Sequence, residues 1–157
     1  MKTLIIDNYN YILLAAIISW ASAQIIKTFL NFITTNKFNA ERLIGSGGMP
    51  SSHSSFVCSA TMATGRSVGV SSPLFAIIFI LAMVVMYDAM GVRWAAGLHA
   101  KEINKMNRMI GDNTEFKDNN FKMKGKELKE FLGHTPFEVL AGALLGIIIA
   151  LLLPVKI

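Results

Sequence analysis

Apolar positions dominate three stretches of the chain, each long enough to cross a bilayer as a helix, which takes about 20 predominantly apolar residues. Asn10 to Ile33 qualifies, with a single charge, Lys27, near its end. Pro73 to Val92 qualifies again: LFAIIFILAMVVMY is unbroken and Asp88 comes late. Pro136 to Val155 is the third, with Glu138 at its very start. Ser54 to Val70 is a weaker fourth, rich in Ser, Ala, Thr and Gly and carrying Arg66. Such a segment sits badly against lipid, but small residues let helices approach closely, so it is expected inside the bundle. The pattern predicts an all-α fold, a polytopic membrane helix bundle of about four transmembrane helices, with residues 1–157 forming a single integral membrane domain. The first helix has a rival reading: Lys2, the apolar run and Ala21-Ser22-Ala23 imitate a cleavable signal peptide. Apolar character continues past that site through Ile25, Ile26, Phe29, Leu30, Phe32 and Ile33, which favours a retained helix.

Composition supports the membrane reading. Of the residues, 53% are hydrophobic and 16% charged, where a soluble domain carries roughly 25% charge; mean hydropathy is +0.49. Of 15 Lys and Arg, eight lie between Lys101 and Lys129, inside a polar loop expected over residues 100–133. The net charge of +5 thus belongs to one basic loop rather than to a folded basic face with interleaved aromatics, so no nucleic-acid partner is expected. Four crossings put this loop on the same side as the one from Thr34 to Pro50. The positive-inside bias makes that side cytoplasmic and leaves both termini outside, with the cytoplasmic membrane of a bacterium as the expected location. Thr114 to Lys129 reads as a solvated tether or as a segment docking on anionic headgroups. Cys58 is the single cysteine, so it forms no internal disulfide and fits no metal-site spacing.

Polar residues beside membrane helices are costly unless they have a task. Here they gather at helix ends that the topology puts on one membrane face: Lys27, then Arg42, then Ser51, Ser52 and His53, then Asp88 and Arg93, then His134 and Glu138. Gly45-Ser-Gly-Gly-Met-Pro-Ser-Ser-His53 leads into a helix. Its glycines allow close backbone approach, and the helix N-terminus offers free N–H groups and a positive dipole end, both suited to phosphate. His53 there could protonate a leaving oxygen; the plainer reading is a glycine turn with serine caps. Thr135-Pro136-Phe137-Glu138 fits a capping box. In the functional reading Glu138 instead orients His134, and one carboxylate is not expected to satisfy both fully. Gly142 and Gly146 form a small-residue stripe that permits close helix packing, and permits a homo-oligomer without requiring one.

These residues resemble the divergent branch of the type-2 phosphatidic acid phosphatase superfamily, which is related to acid phosphatases and vanadium-dependent haloperoxidases. That superfamily's middle motif, P-S-G-H, is similar to Pro50-Ser51-Ser52-His53. Its last motif, S-R, five residues, then H-x-P-x-D-V-x-x-G-x-x-x-G, matches His134, Pro136, Glu138, Val139, Gly142 and Gly146 in spacing. The divergent branch adds G-G-M-P-S-S-H-S, Y-D-A-x-G-V-R (Tyr87 to Arg93) and G-H-T-P-x-E-V. The resemblance runs from Lys27 to Gly146. Departures are Glu138 for aspartate, Ser52 for glycine and a long insertion between Arg93 and His134. The K-x6-R-P motif is degraded: Leu43 follows Arg42, Thr35 stands seven before it, and Lys27 and Lys37 compete for the lysine. Lys27 is preferred because a lysine inside an apolar helix needs a reason, although snorkelling supplies one. His99 reproduces R-x5-H with Arg93, but Ile103 stands where the acid should be.

The resemblance implies hydrolysis of a lipid phosphate or prenyl pyrophosphate without metal or other cofactor. His134 would be the nucleophile, Glu138 its orienting acid and His53 the general acid. Lys27, Arg42, Ser51, Ser52 and Arg93 would hold phosphate, and Asp88 would pair with Arg93 or Lys27. A cytoplasm-facing site would differ from the superfamily's familiar bacterial enzymes, which work on the outer side. The expected partner is a membrane lipid substrate. Two other readings stay open: a catalytically inactive phospholipid-binding protein, and a transport-associated protein in which Lys27, Arg66 and Asp88 line a path.

Overall fold

A helix leaves backbone N–H groups free in its first turn, and a small polar side chain just before it can accept from them. Four side chains do so here. Asn10 accepts from the Leu13 N–H at 3.1 Å and Ser51 from Ser54 at 3.4 Å. Ser72 accepts from Leu74 at 3.2 Å and Thr135 from Glu138 at 3.3 Å. Pro73 and Pro136 occupy first helical positions, where the missing N–H costs nothing. The computed structural model describes residues 10–36, 48–112, 128, 130 and 133–155. Among the described residues there are five helices and no strand: α1 (Tyr11–Thr35), α2 (Ser52–Val68), α3 (Pro73–Met90), α4 (Val92–Asp112) and α5 (Pro136–Leu152). Lys27 thus lies two turns inside α1 rather than closing it.

The bundle carries its large apolar side chains outside and mostly small residues, many of them polar, inside. Ile77, Phe79, Ile80, Leu81, Met83 and Val84 of α3 are exposed, as are Leu140, Leu144, Ile148 and Leu151 of α5. Among the described residues the largest fully buried side chains are Ser19, Ser51, Ser52, Ser54, Ser55, Ser59 and Thr64, with Ala15, Ala16, Ala23, Ala63 and Ala150 buried beside them. In water this inversion would be unstable; in lipid, association comes from close packing and interhelical hydrogen bonds, so small polar residues belong inside. The protein is a helical membrane protein.

As expected of the Ser54–Val70 segment, α2 is the inner helix and packs on α1, α3 and α5. Helices α2 and α5 run parallel and nearly touch: a methyl at Gly142 would overlap the Ser51 carbonyl oxygen, and one at Gly146 the Ser55 carbonyl oxygen. Against α1, which runs antiparallel, Ser19 meets Ser55 through hydroxyls 2.5 Å apart and donates to the Ser55 carbonyl at 3.0 Å. At the far end of that seam the Arg66 guanidinium donates to the Tyr11 hydroxyl at 2.8 Å, to the Leu153 carbonyl at 2.9 Å and to the Ala150 carbonyl. Arg66 therefore caps the C-terminal carbonyls of α5, a favourable place for a cation.

The polar loop expected over residues 100–133 needs correction at its start, where residues 100–112 are helical. Helix resumes at Val92 after a break at Gly91 (φ −100°, ψ −92°) and continues as α4 to Asp112. Val92, Ala96, Ile103 and Met106 recur at helical spacing without proline, a pattern masked by the surrounding charges. Thr114 to Lys129 falls outside the described residues except for Leu128.

Candidate active site

Four helix ends meet on one side of the bundle. The N-terminus of α2 supplies His53, and the C-terminus of α3 supplies Val85, Asp88 and Ala89. The first turn of α4 supplies Arg93, and the approach to α5 supplies Gly133 and His134. These seven residues line one small pocket. The gap of forty residues between Arg93 and His134 closes through backbone contacts. The His134 N–H donates to the Ala89 carbonyl at 3.0 Å. Gly133, at φ +82°, lies so close to α4 that a Cβ would overlap the Trp94 nitrogen. Only glycine meets both demands at that position.

His134 is buried, and its Nδ1 lies 3.1 Å from Glu138 Oε2. The same oxygen accepts the Thr135 N–H at 3.0 Å, completing the capping box. One carboxylate oxygen therefore serves both roles, against the expectation that they compete; a carboxylate oxygen has two lone pairs to give. With Nδ1–H donated to Glu138, Nε2 carries the lone pair. Burial holds His134 below the ordinary imidazole range, Glu138 pulls it back up through its hydrogen bond and charge, and Lys27 and Arg93 push it down again.

His53 is exposed in the first turn of α2, and Arg93, His134 and Lys27 all act on its ring electrostatically. Lys27 is buried on α1 and does not line the pocket, yet its charge reaches both histidines. Arg93 Nε lies 2.6 Å from Asp88 Oδ2, which is the ion-pair role expected of Asp88. His99 is exposed on α4 and does not line the pocket.

Ser51 departs from its expected part. Its N–H donates to the Glu138 carbonyl at 3.0 Å, its carbonyl faces Gly142, and its hydroxyl accepts from Ser54. The amide expected to hold phosphate is already used to bind α2 to α5. Ser52 is buried at the first position of α2 and, like Ser51, does not line the pocket. Arg42 lies outside the described residues. Gly133 and the Ala89 carbonyl carry no role in the sequence reading; their traces there are the glycine of G-H-T-P and the alanine of Y-D-A-x-G-V-R. Among the described residues, no three His, Cys, Asp or Glu side chains gather as a metal centre would require.

The pocket thus gathers two histidines and an arginine in a membrane bundle, with a histidine-bound carboxylate beside it. The chain belongs to the Divergent PAP2 family, whose family model matches residues 8–149. It is 40% identical over 148 residues to an uncharacterized membrane protein, YuiD, of Bacillus subtilis (strain 168), covering 92% of this chain and 94% of that one. No solved structure matches it.

Proposed function

We propose that the protein hydrolyses a lipid phosphate or prenyl pyrophosphate at this pocket through a phosphohistidine intermediate, using no metal. The observation that carries the reading is the contact between Glu138 and His134 Nδ1, beside a pocket shared with His53 and Arg93. Nε2 of His134 would attack phosphorus, forming a P–N bond while the P–O bond to the leaving group breaks. His53 would give its proton to the departing oxygen, then take one from the water that cleaves the P–N bond. Arg93, with Lys27 and Arg42, would stabilise charge on the equatorial oxygens. Exposed apolar surface on α3 beside the pocket suits a substrate whose tail stays in the bilayer. In this reading the site faces the cytoplasm of a bacterial cell.

The test is release of inorganic phosphate from phosphatidate, phosphatidylglycerophosphate and a prenyl pyrophosphate by detergent-solubilised protein. Release from wild type, loss in His134→Ala and retention in His99→Ala would support hydrolysis; equal loss in both variants would refute the assignment. One observation favours a second reading, a phospholipid-binding protein: the Ser51 amide is engaged by Glu138 and is not free to hold a transferring phosphoryl group. Tight binding of these lipids with no release from wild type would establish that reading instead.

A further inference from the structure

Helix α3 by itself is close to the width of a bilayer. Its 18 residues, at about 1.5 Å each, cover roughly 27 Å of a hydrocarbon core about 30 Å thick. Helix α4 continues from its end for 21 more residues, so it lies at or beyond the headgroups. Among the described helices, α4 packs only against α3.

Three faces of α4 differ in kind. Gly97, Ala100 and Asn104 form a narrow buried stripe. Asn104 holds the returning chain there: its side-chain amide donates to the Leu128 carbonyl and to Glu130, both at 2.9 Å, and accepts the Leu128 N–H at 3.0 Å. A second face carries Val92, Ala96, His99, Ile103 and Met106, all exposed and apolar except His99; Val92 is 69% and Met106 59% accessible. A third carries Lys101, Lys105 and Arg108 at helical spacing, all exposed, with Glu102 at its edge and Glu130 3.9 Å from Arg108. An apolar face and a basic face on one polar helix, starting where a membrane span ends, is the pattern of a helix lying along the bilayer surface.

We propose that α4 lies in the plane of the membrane interface. Its Val92–Ala96–Ile103–Met106 face enters the acyl-chain boundary, and Lys101, Lys105 and Arg108 bind anionic phospholipid headgroups of the same leaflet. The basic stripe supplies the charge complementarity and the exposed apolar face supplies the anchor. Because Arg93 stands in the first turn of α4, this docking also holds the pocket mouth at headgroup level. The inference does not depend on phosphoryl chemistry.

The experiment uses the full chain carrying Cys58→Ser, since Cys58 is the only native thiol, reconstituted in phosphatidylcholine vesicles with and without phosphatidylglycerol. Spin labels are placed at Ile103→Cys and, separately, Lys101→Cys. Collision with oxygen, which concentrates in lipid, and with a water-soluble nickel chelate reports depth. The expected result is oxygen access at 103 and nickel access at 101. Spin-labelled phosphatidylglycerol should also be motionally restricted several-fold more than phosphatidylcholine, and Lys101→Gln/Lys105→Gln/Arg108→Gln should remove that preference without changing the circular dichroism. Nickel access at 103 would overturn the proposal by placing α4 in water. Exclusion of both reagents from 103 would overturn it by showing protein cover, such as a second copy. An unchanged lipid preference in the triple variant would overturn the headgroup assignment.

Discussion

Substituting Gly142 by alanine sets two effects of opposite sign against each other. In an exposed helix interior the change favours folding by about 1 kcal/mol, because glycine loses more backbone freedom. At Gly142 the new Cβ would overlap the Ser51 carbonyl oxygen and stand 3.0 Å from its carbon and 3.1 Å from its nitrogen. Those atoms cannot swing aside as a side chain would. The Ser51 N–H is bonded to the Glu138 carbonyl at 3.0 Å, and the Ser51 carbonyl accepts the Ser55 N–H at 3.0 Å. Helices α2 and α5 must therefore part, at an overpacking cost of about 1–3 kcal/mol. With a rigid neighbour the cost falls in the upper part of that range, so the net expectation is a loss of about 1–2 kcal/mol. Gly146→Ala, facing the Ser55 carbonyl, should behave alike. Gly65→Ala is the control: its nearest neighbours are Phe75 ring atoms at 3.2 and 3.3 Å, and a ring can tilt. That variant should be neutral or more stable than wild type. Unfolding by sodium dodecyl sulfate in mixed micelles, followed by circular dichroism, measures all three. Stability of Gly142→Ala and Gly146→Ala at or above wild type, or an equal fall in Gly65→Ala, would refute the close-contact argument.

The remaining predictions concern the two ends of the bundle. Burial depresses the His134 pKa and Glu138 partly restores it, so Glu138→Gln lowers it further. The nucleophile must be neutral and is lost as pH falls through its depressed pKa. The acid limb of the phosphate-release profile should therefore move to lower pH, while the plateau drops by about 100-fold or more as the ring loses its anionic partner; a limb that stays put or moves up would contradict the assignment. Arg66→Met should remove the cap from α5 and cost about 1.5–3 kcal/mol, discounted for the half-buried guanidinium. It should leave lipid-phosphate binding intact, and binding lost at unchanged stability would favour a path through Arg66 instead.

Helix content was legible because lipid makes hydrophobic length itself the signal. Stretches such as Leu74–Tyr87 have one physical use, and caps such as Thr135 with Pro136 and Glu138 act within a single turn. The motif residues were legible through the family resemblance, which sets His53, His134 and Glu138 at matching spacings. The stretch from Ala100 to Asp112, expected as loop, is helix: its charges hide a helical period, and solvent and lipid faces can alternate without any long apolar stretch. What only the tertiary structure decided is which polar groups are spent on holding the protein together. The Ser51 amide goes to the Glu138 carbonyl, Asp88 goes to Arg93 and Arg66 goes to the end of α5. Sequence names the donors and acceptors of a bundle interior, but each bond depends on which helix surfaces come within about 3 Å. Here that distance is set by two glycines facing two serine carbonyls on a helix some ninety positions away.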